Sequence, residues 1–247
     1  MQKNYLIKKK LFNDKGFFIC KKVFEEEFIT ELLNEIYKSE DTLKYYDNNK
    51  KLRRVEKLYQ KGLFLKKSNL IILELLKKFF DETFIIFKDK FNAKPPKGEG
   101  FFAHYDGIFQ FKDQKSNIKN GWYEYSDFFI NALIALDECN INNGTIEISS
   151  AHKGDFYRLL DNTKKDGTPA LKSDIENKIV FETINLEIGD VVFFSHTCPH
   201  RSKKNNSNKD RRILYYTYTK SEDENIYEKY FIDKKTSKNP LKSLDNR

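Results

Sequence analysis

Residues 101–107 read FFAHYDG, which sets His104 and Asp106 two positions apart within a run of aromatics. In a strand, positions i and i+2 project from the same face, so this imidazole and this carboxylate share one side. On an inward face they supply two of the three ligands of a non-haem Fe(II) facial triad, a geometry that leaves positions open for substrates. An H-x-D alone also reads as a surface pair or a plain His–Asp hydrogen bond, so a third ligand decides between the readings.

The chain has four histidines, which keeps the choice short. His152 sits in SSAHKGD, a turn after a strand. His196 and His200 sit in FFSHTCPHRS, at the end of a strand that follows Gly189-Asp190. His196, Cys198 and His200 could be read as a zinc cluster, but a closed structural zinc site takes four ligands and no second Cys/His pair completes one. His200 has the richer context. Ser202 and Asn205 follow it, and Arg211 lies eleven residues on, at the head of RRILYYTY. Alternation puts Arg211, Ile213, Tyr215 and Thr217 on one face. An Arg inside a barrel needs an anionic partner, because a buried unpaired charge is costly. Its planar fork suits a carboxylate, and the distal carboxylate of 2-oxoglutarate would serve.

These residues need strands to position them. IIFKDKFNAK, GFFAHYD, FFINALIALDE, TIEISSAH, INLEIGDVVFFSH and RRILYYTYT are short, aromatic or β-branched, and separated by turn signals. Many strands in one block predict a sandwich or barrel. Upstream, EEEFITELLNEIYK carries Phe28, Leu32, Leu33 and Ile36 at helical spacing, and NLIILELLKKFFDETF carries Ile72, Leu75, Leu76, Phe79 and Phe80. GFFICKKVF, residues 16–24, is a strand candidate near the start. The expected organisation is one domain over 1–247: mostly helical support over 1–83, the β core over 84–220 and a weakly helical or irregular tail over 221–247. The polar stretch KKNNSNKDRR, 203–212, is a connection.

The 247 residues are 39% hydrophobic, with 22 Phe and 14 Tyr, enough for a sizeable core. Net charge is +8, from 45 basic and 37 acidic residues. The positive charge is scattered among the acids and no binding motif accompanies it, which argues against nucleic acid as a partner. Three cysteines in unpaired spacing form no disulfide framework. No apolar leader and no membrane-length run appear, so a cytoplasmic protein without a membrane partner is expected.

The combination resembles the phytanoyl-CoA dioxygenase family of Fe(II)/2-oxoglutarate oxygenases. Its carriers are His104-Tyr105-Asp106, then ALIALDECNINNGTIEISSAHKG, then GDVVFFSHTCPHRSKKNNSNKDRRILYYTY, over roughly residues 12 to 235. Within the family, LRRVEKL, IIFKDKFNAKPPKGEGFFAHYDG and YYTYTKSEDENIYEKYFIDKK resemble bacterial members of the 2-aminoethylphosphonate dioxygenase type. The resemblance implies a double-stranded β-helix, a cupin-like jelly roll with flanking helices. It implies His104, Asp106 and His200 as ligands of Fe(II), Arg211 on the distal carboxylate of 2-oxoglutarate with Ser202 assisting, and His152 as a turn residue. It also implies O2 as co-reactant and hydroxylation of a C–H bond with release of succinate and CO2. Halogenating relatives lack the carboxylate, so Asp106 argues for hydroxylation. SSAHKG departs from the family's commoner Pro-Gly-Ser-His turn, and Leu133 stands where some relatives place a cofactor-contacting aromatic.

The substrate side is read from the residues. On IIFKDKFNAK, Lys88, Lys90, Asn92 and Lys94 share one face and Phe87, Asp89 and Phe91 the other. If inward, Lys90 and Asn92 would bind the C1 carboxylate of 2-oxoglutarate or a small anionic substrate such as an organophosphonate; Lys88 and Lys94 are expected on a solvated edge. Arg53 and Arg54 are anion-binding candidates whose plainer reading is a solvated helix face. Trp122 and Tyr123 are expected in a loop over the mouth. Alternatives are a hydroxylase of an amino acid or natural-product intermediate, and a jelly-roll binding protein without catalysis.

Overall fold

A computed structural model of the protein describes residues 2–47, 50–112, 115–161, 168–220 and 222–236. The chain opens with α1 (Gln2–Lys15), β1 (Phe17–Cys20), α2 (Glu26–Lys38), β2 (Leu43–Tyr46), β3 (Leu52–Glu56) and α3 (Leu63–Phe80). It continues through β4 (Ile85–Lys94), β5 (Phe101–His104), β6 (Phe111–Lys112), β7 (Ile118–Lys119), β8 (Phe129–Ala135) and β9 (Ile146–Ile148). It closes with α4 (Ser173–Glu176), β10 (Glu182–Thr183), β11 (Val191–Ser195), β12 (His200–Ser202), β13 (Arg211–Thr219) and α5 (Ile226–Thr236). Residues 237–247 of the expected tail lie outside the described residues.

A seven-stranded sheet runs β1-β11-β8-β13-β4-β3-β2 and a four-stranded sheet runs β10-β9-β12-β5, both antiparallel. This is the double-stranded β-helix that the sequence implied. Period-2 alternation sorts the side chains. Phe194, Val192, Leu133 and Ile213 pack inward with Ile146 and Ile148 of the smaller sheet. Phe193, Ala132, Leu214, Tyr216 and Tyr218 point outward, into a second core with the helices.

α2 and α3 cover that outer face because their apolar residues recur at helical spacing. Ile29, Leu32 and Ile36 of α2 and Leu65, Ile72, Leu76 and Phe79 of α3 are buried. The Glu35 carboxylate accepts the first N–H groups of α3, at Phe64 (3.0 Å) and Leu65 (2.9 Å), which otherwise have no partner in the helix. Tyr216 and Tyr218 of β13 anchor to the same helix through Ser68 Oγ (2.7 Å) and Asn69 Oδ1 (2.9 Å). Besides these helices, the first third extends the large sheet, with β1 at one edge and β2 and β3 at the other.

Candidate metal and cosubstrate site

The two sheets bring the three predicted ligands together. His104 ends β5, His200 begins β12, and the two are direct antiparallel partners. Their rings lie 4.3 Å apart, centroid to centroid. Asp106 follows β5 in a turn, with Oδ2 3.7 Å from His200 Nε2. One donor atom from each of the three residues falls within 4.8 Å of the others, and among the described residues no other His/Cys/Asp/Glu group of three does so. Gly107 makes the turn possible. Its φ is +73°, and a Cβ there would sit 2.1 Å from the Trp122 ring.

Backbone carbonyls fix both rings. His104 Nδ1 lies 2.8 Å from the carbonyl oxygen of Phe102, and His200 Nδ1 lies 3.1 Å from that of Cys198. A carbonyl only accepts, so each Nδ1 carries the proton and each Nε2 presents its lone pair. Burial, reinforced by His200, lowers the pKa of His104 to about 3, and burial lowers His200 as well. Both rings are therefore neutral, the form that binds metal. Burial would raise the Asp106 carboxyl, but His200, Lys90 and His104 outweigh it and hold it well below the usual range. Asn131 Nδ2 donates to Asp106 Oδ2 at 2.9 Å, and Thr217 Oγ1 donates to Asn131 Oδ1 at 2.7 Å. The hydroxyl thus sets the amide, and the amide sets the carboxylate.

The triad opens into a cavity of about 910 Å³, counting the part open to solvent. Arg211, Ser202, Asn92, Lys90 and Tyr215 line it. Arg211 is buried at 3% exposure, and its Nε has no hydrogen-bond partner among the described residues. Lys94, its partner across the strand pair, donates to Ser202 Oγ at 2.8 Å and to the Gly144 carbonyl at 3.0 Å. With that oxygen accepting from Lys94, the Ser202 hydroxyl proton is left to donate. The polar connection 203–210 is held by buried Asn205, which donates to the Lys94 and Lys209 carbonyls at 2.9 and 2.8 Å. That loop joins β12 to β13, so that His200 and Arg211, from different sheets, line one cavity.

Several expectations need correction. Lys94 is not a solvated edge residue; it is 1% exposed. Lys88 also faces the cavity, its ammonium 5.0 Å from the Trp122 ring centroid. Arg53 and Arg54 lie on β3, not on a helix face, and Arg54 donates to Asn92 Oδ1 at 3.3 Å. Trp122 is a buried wall packed on Phe87 and Phe129, not a lid. His196 is buried away from the cluster, its Nε2 3.1 Å from the Tyr123 hydroxyl. His152 pairs with the Tyr105 hydroxyl. Sequence reasoning missed Glu56 and Lys234, a buried ion pair at the far end of the same cavity.

The phytanoyl-CoA dioxygenase (PhyH) family matches residues 12–213. The chain belongs to this family. It is an Fe(II)- and 2-oxoglutarate-dependent oxygenase, using iron, 2-oxoglutarate and O2. It is 27% identical to a 2-aminoethylphosphonate dioxygenase from an uncultured bacterium (HF130_AEPn_1), over 90% of this chain and 84% of that protein. It is 28% identical to a methylphosphonate hydroxylase of Gimesia maris, over 63% of this chain but only 53% of that protein. The fold is similar to that of the epimerase SnoN in complex with Fe3+, alpha ketoglutarate and nogalamycin RO (TM-score 0.66, 14% identity, 89% of this chain and 84% of that one). It is also similar to that of EctD from S. alaskensis with 2-oxoglutarate and 5-hydroxyectoine (TM-score 0.64, 14% identity, 85% and 74%).

The residues of this PhyH member fit those cofactors. Two neutral imidazoles and one ionised carboxylate are the donor set of a facial iron site. The Arg211 Nε without a partner is a buried charge-assisted donor awaiting an anion. No helix among the described residues is long and apolar enough to cross a membrane.

Proposed function

We propose that the protein hydroxylates a C–H bond of a small anionic metabolite, an organophosphonate foremost. His104, Asp106 and His200 hold the iron, Arg211 and Ser202 take the distal carboxylate of 2-oxoglutarate, and Lys90 with Asn92 face the remaining anionic groups. The observation that carries this reading is a neutral-His, ionised-Asp cluster at one cavity whose other walls are rich in cations. Bound iron and 2-oxoglutarate supply the oxidising power for hydroxylation, with succinate and CO2 as co-products.

The chain's own work is positioning and shielding. The Phe102 and Cys198 carbonyls keep the proton on each Nδ1 and aim each Nε2 at the metal position. Asn131 fixes the carboxylate plane of Asp106. Arg211, held on β13 in register with Lys94, offers its fork to the cosubstrate along the same inward face as Tyr215. Lys90 sits with its ammonium 4.6 Å from the Tyr215 ring centroid. Burial first, then Arg54 and Lys88, lowers its pKa to about 7, so an arriving anion restores its charged form. Trp122, Phe102 and Phe109 wall the cavity with apolar surface and limit water at the reacting carbon.

The test is a succinate assay on a panel of 2-aminoethylphosphonate, methylphosphonate, amino acids and small carboxylic acids. Succinate formed one-for-one with loss of a phosphonate supports the reading. Coupling only to a neutral or cationic compound contradicts it.

A further inference from the structure

Lys94 sits opposite Arg211 in the pairing of β4 with β13, yet the two stand differently toward the cavity. Arg211 lines it, whereas Lys94 lies behind the wall at 1% exposure. What its ammonium touches there is the wall itself. Nζ is 2.8 Å from Ser202 Oγ and 5.9 Å from the Phe101 ring centroid, and both of those residues line the cavity. Its other two hydrogen bonds run to the backbone carbonyls of Gly144 and Lys203. An ammonium has three hydrogens and no lone pair, so three acceptors occupy it fully and none of its hydrogens is left for a ligand. The space is cut for this group. Gly144 has a φ of +69°, and a Cβ there would sit 2.2 Å from the Lys203 carbonyl oxygen and 2.9 Å from Lys94 Nζ.

The consequence falls on Ser202. A hydroxyl has one proton and two lone pairs. The Lys94 ammonium takes one lone pair of Ser202 Oγ, and the Phe101 N–H, at 3.3 Å, takes the other. Only the proton remains, so toward the cavity Ser202 is a donor and nothing else. A neutral Lys94 amine would reverse this. The two carbonyls would hold both of its hydrogens, its lone pair would accept the Ser202 proton, and an oxygen lone pair would face the cavity. That arrangement repels a carboxylate. Burial, then Arg211 and Arg53, lowers the Lys94 pKa to about 6, and an anion arriving at Arg211 and Ser202 favours the charged form again.

We propose that Lys94 is a positioning residue for the cosubstrate: it holds the Ser202 hydroxyl as a donor for the distal carboxylate of 2-oxoglutarate without touching 2-oxoglutarate itself. This rests on the functional reading above, which gives that carboxylate to Arg211 and Ser202.

Anaerobic titration of the full chain loaded with Fe(II), followed by its visible charge-transfer band, tests it with two probes. One is 2-oxoglutarate; the other is 2-oxobutyrate, which has the same keto acid but no distal carboxylate. Lys94→Met should weaken 2-oxoglutarate tenfold or more and leave 2-oxobutyrate within twofold of wild type. A general loss of packing would weaken both. Ser202→Ala should show the same selectivity. The double variant should be no more than twofold worse than Ser202→Ala, because the lysine acts through the hydroxyl. If Lys94→Met does not fold, Lys94→Gln takes its place: its amide has two hydrogens for the two carbonyls and none for Ser202, and the same selective loss is expected. Equal loss of both acids would overturn the proposal, as would wild-type 2-oxoglutarate affinity in either single variant or losses that multiply in the double variant. All of these can occur while the wild-type band forms, so they sink the role of Lys94 and leave the oxygenase reading standing. No band in the wild type would sink that reading instead.

Discussion

The two ends of the cavity hold their charged groups in opposite ways. At the metal end, His104 and His200 spend one nitrogen on a backbone carbonyl and keep the other for the cavity, and Arg211 Nε has no hydrogen-bond partner among the described residues. At the α5 end, Glu56 and Lys234 are bound to each other, tying α5 to the sheet. Among the described residues a buried atom without a hydrogen-bond partner occurs at each end, Arg211 Nε and Glu56 Oε1, but only the second belongs to a group with an opposite charge in contact. An ion pair between a sheet and a helix fixes the shape of the wall. Binding is thus expected to depend on the first group, and stability on the second.

The sharpest break would come from the metal end. Asp106→Ala or His200→Ala should abolish Fe(II)-dependent turnover of 2-oxoglutarate, whereas His196→Ala should leave iron binding largely intact. Iron retained by the His200 variant and lost from the His196 variant would reverse the assignment. Next in size is Lys234→Met. It removes the nearest counter-charge of a buried carboxylate, leaving Arg54 at 3.7 Å, and should cost about 3 kcal/mol of stability in urea unfolding. Adding Glu56→Leu should recover much of that loss, because an apolar pair needs no counter-charge. A silent Lys234→Met would show that this pair does not hold α5.

Arg211→Ala should raise the 2-oxoglutarate requirement tenfold or more, roughly 1.5–3 kcal/mol for a charged hydrogen bond, with little change in unfolding midpoint. Unchanged cosubstrate affinity would remove Arg211 from its role. Asn131→Ala should weaken iron binding about tenfold by releasing Asp106, in keeping with groups that orient metal ligands. Equilibrium dialysis reads that directly.

The smallest effect is one of pH. Burial opposes ionisation of Glu56, yet Lys234 and then Arg54 bring its pKa down to about 2. A carboxyl depressed in the folded state contributes stability above its unfolded value, near 4.3, and loses it as pH falls toward 2. Between pH 5 and pH 3 the wild type should therefore lose more stability than Glu56→Gln. Equal slopes would mean that the pair is not ionised.

The same contrast explains what was legible in the sequence. His104 and Asp106 announce a shared face by a spacing of two, and Arg211, Ile213 and Tyr215 do so by alternation along β13. Local periodicity carries that information. Glu56 and Lys234 stand 178 residues apart, joined only by the packing of α5 on the sheet. No local pattern encodes their meeting. Arg54 was obscured for a related reason. KKLRRVEK is basic enough to read as a solvated helix, and only pairing with β2 and β4 makes it a strand. Lys94 looks like a surface lysine until Gly144 and the 203–210 loop close over it, each with a carbonyl acceptor.

The central claim is that His104, Asp106 and His200 hold iron where Arg211 can anchor 2-oxoglutarate. Anaerobic titration of the protein with Fe(II) and 2-oxoglutarate, followed in the visible, tests it most directly. A weak metal-to-ligand charge-transfer band is predicted that needs both components, vanishes in His200→Ala and requires more 2-oxoglutarate in Arg211→Ala. A folded protein that gives no band, or a band indifferent to both substitutions, would contradict the account.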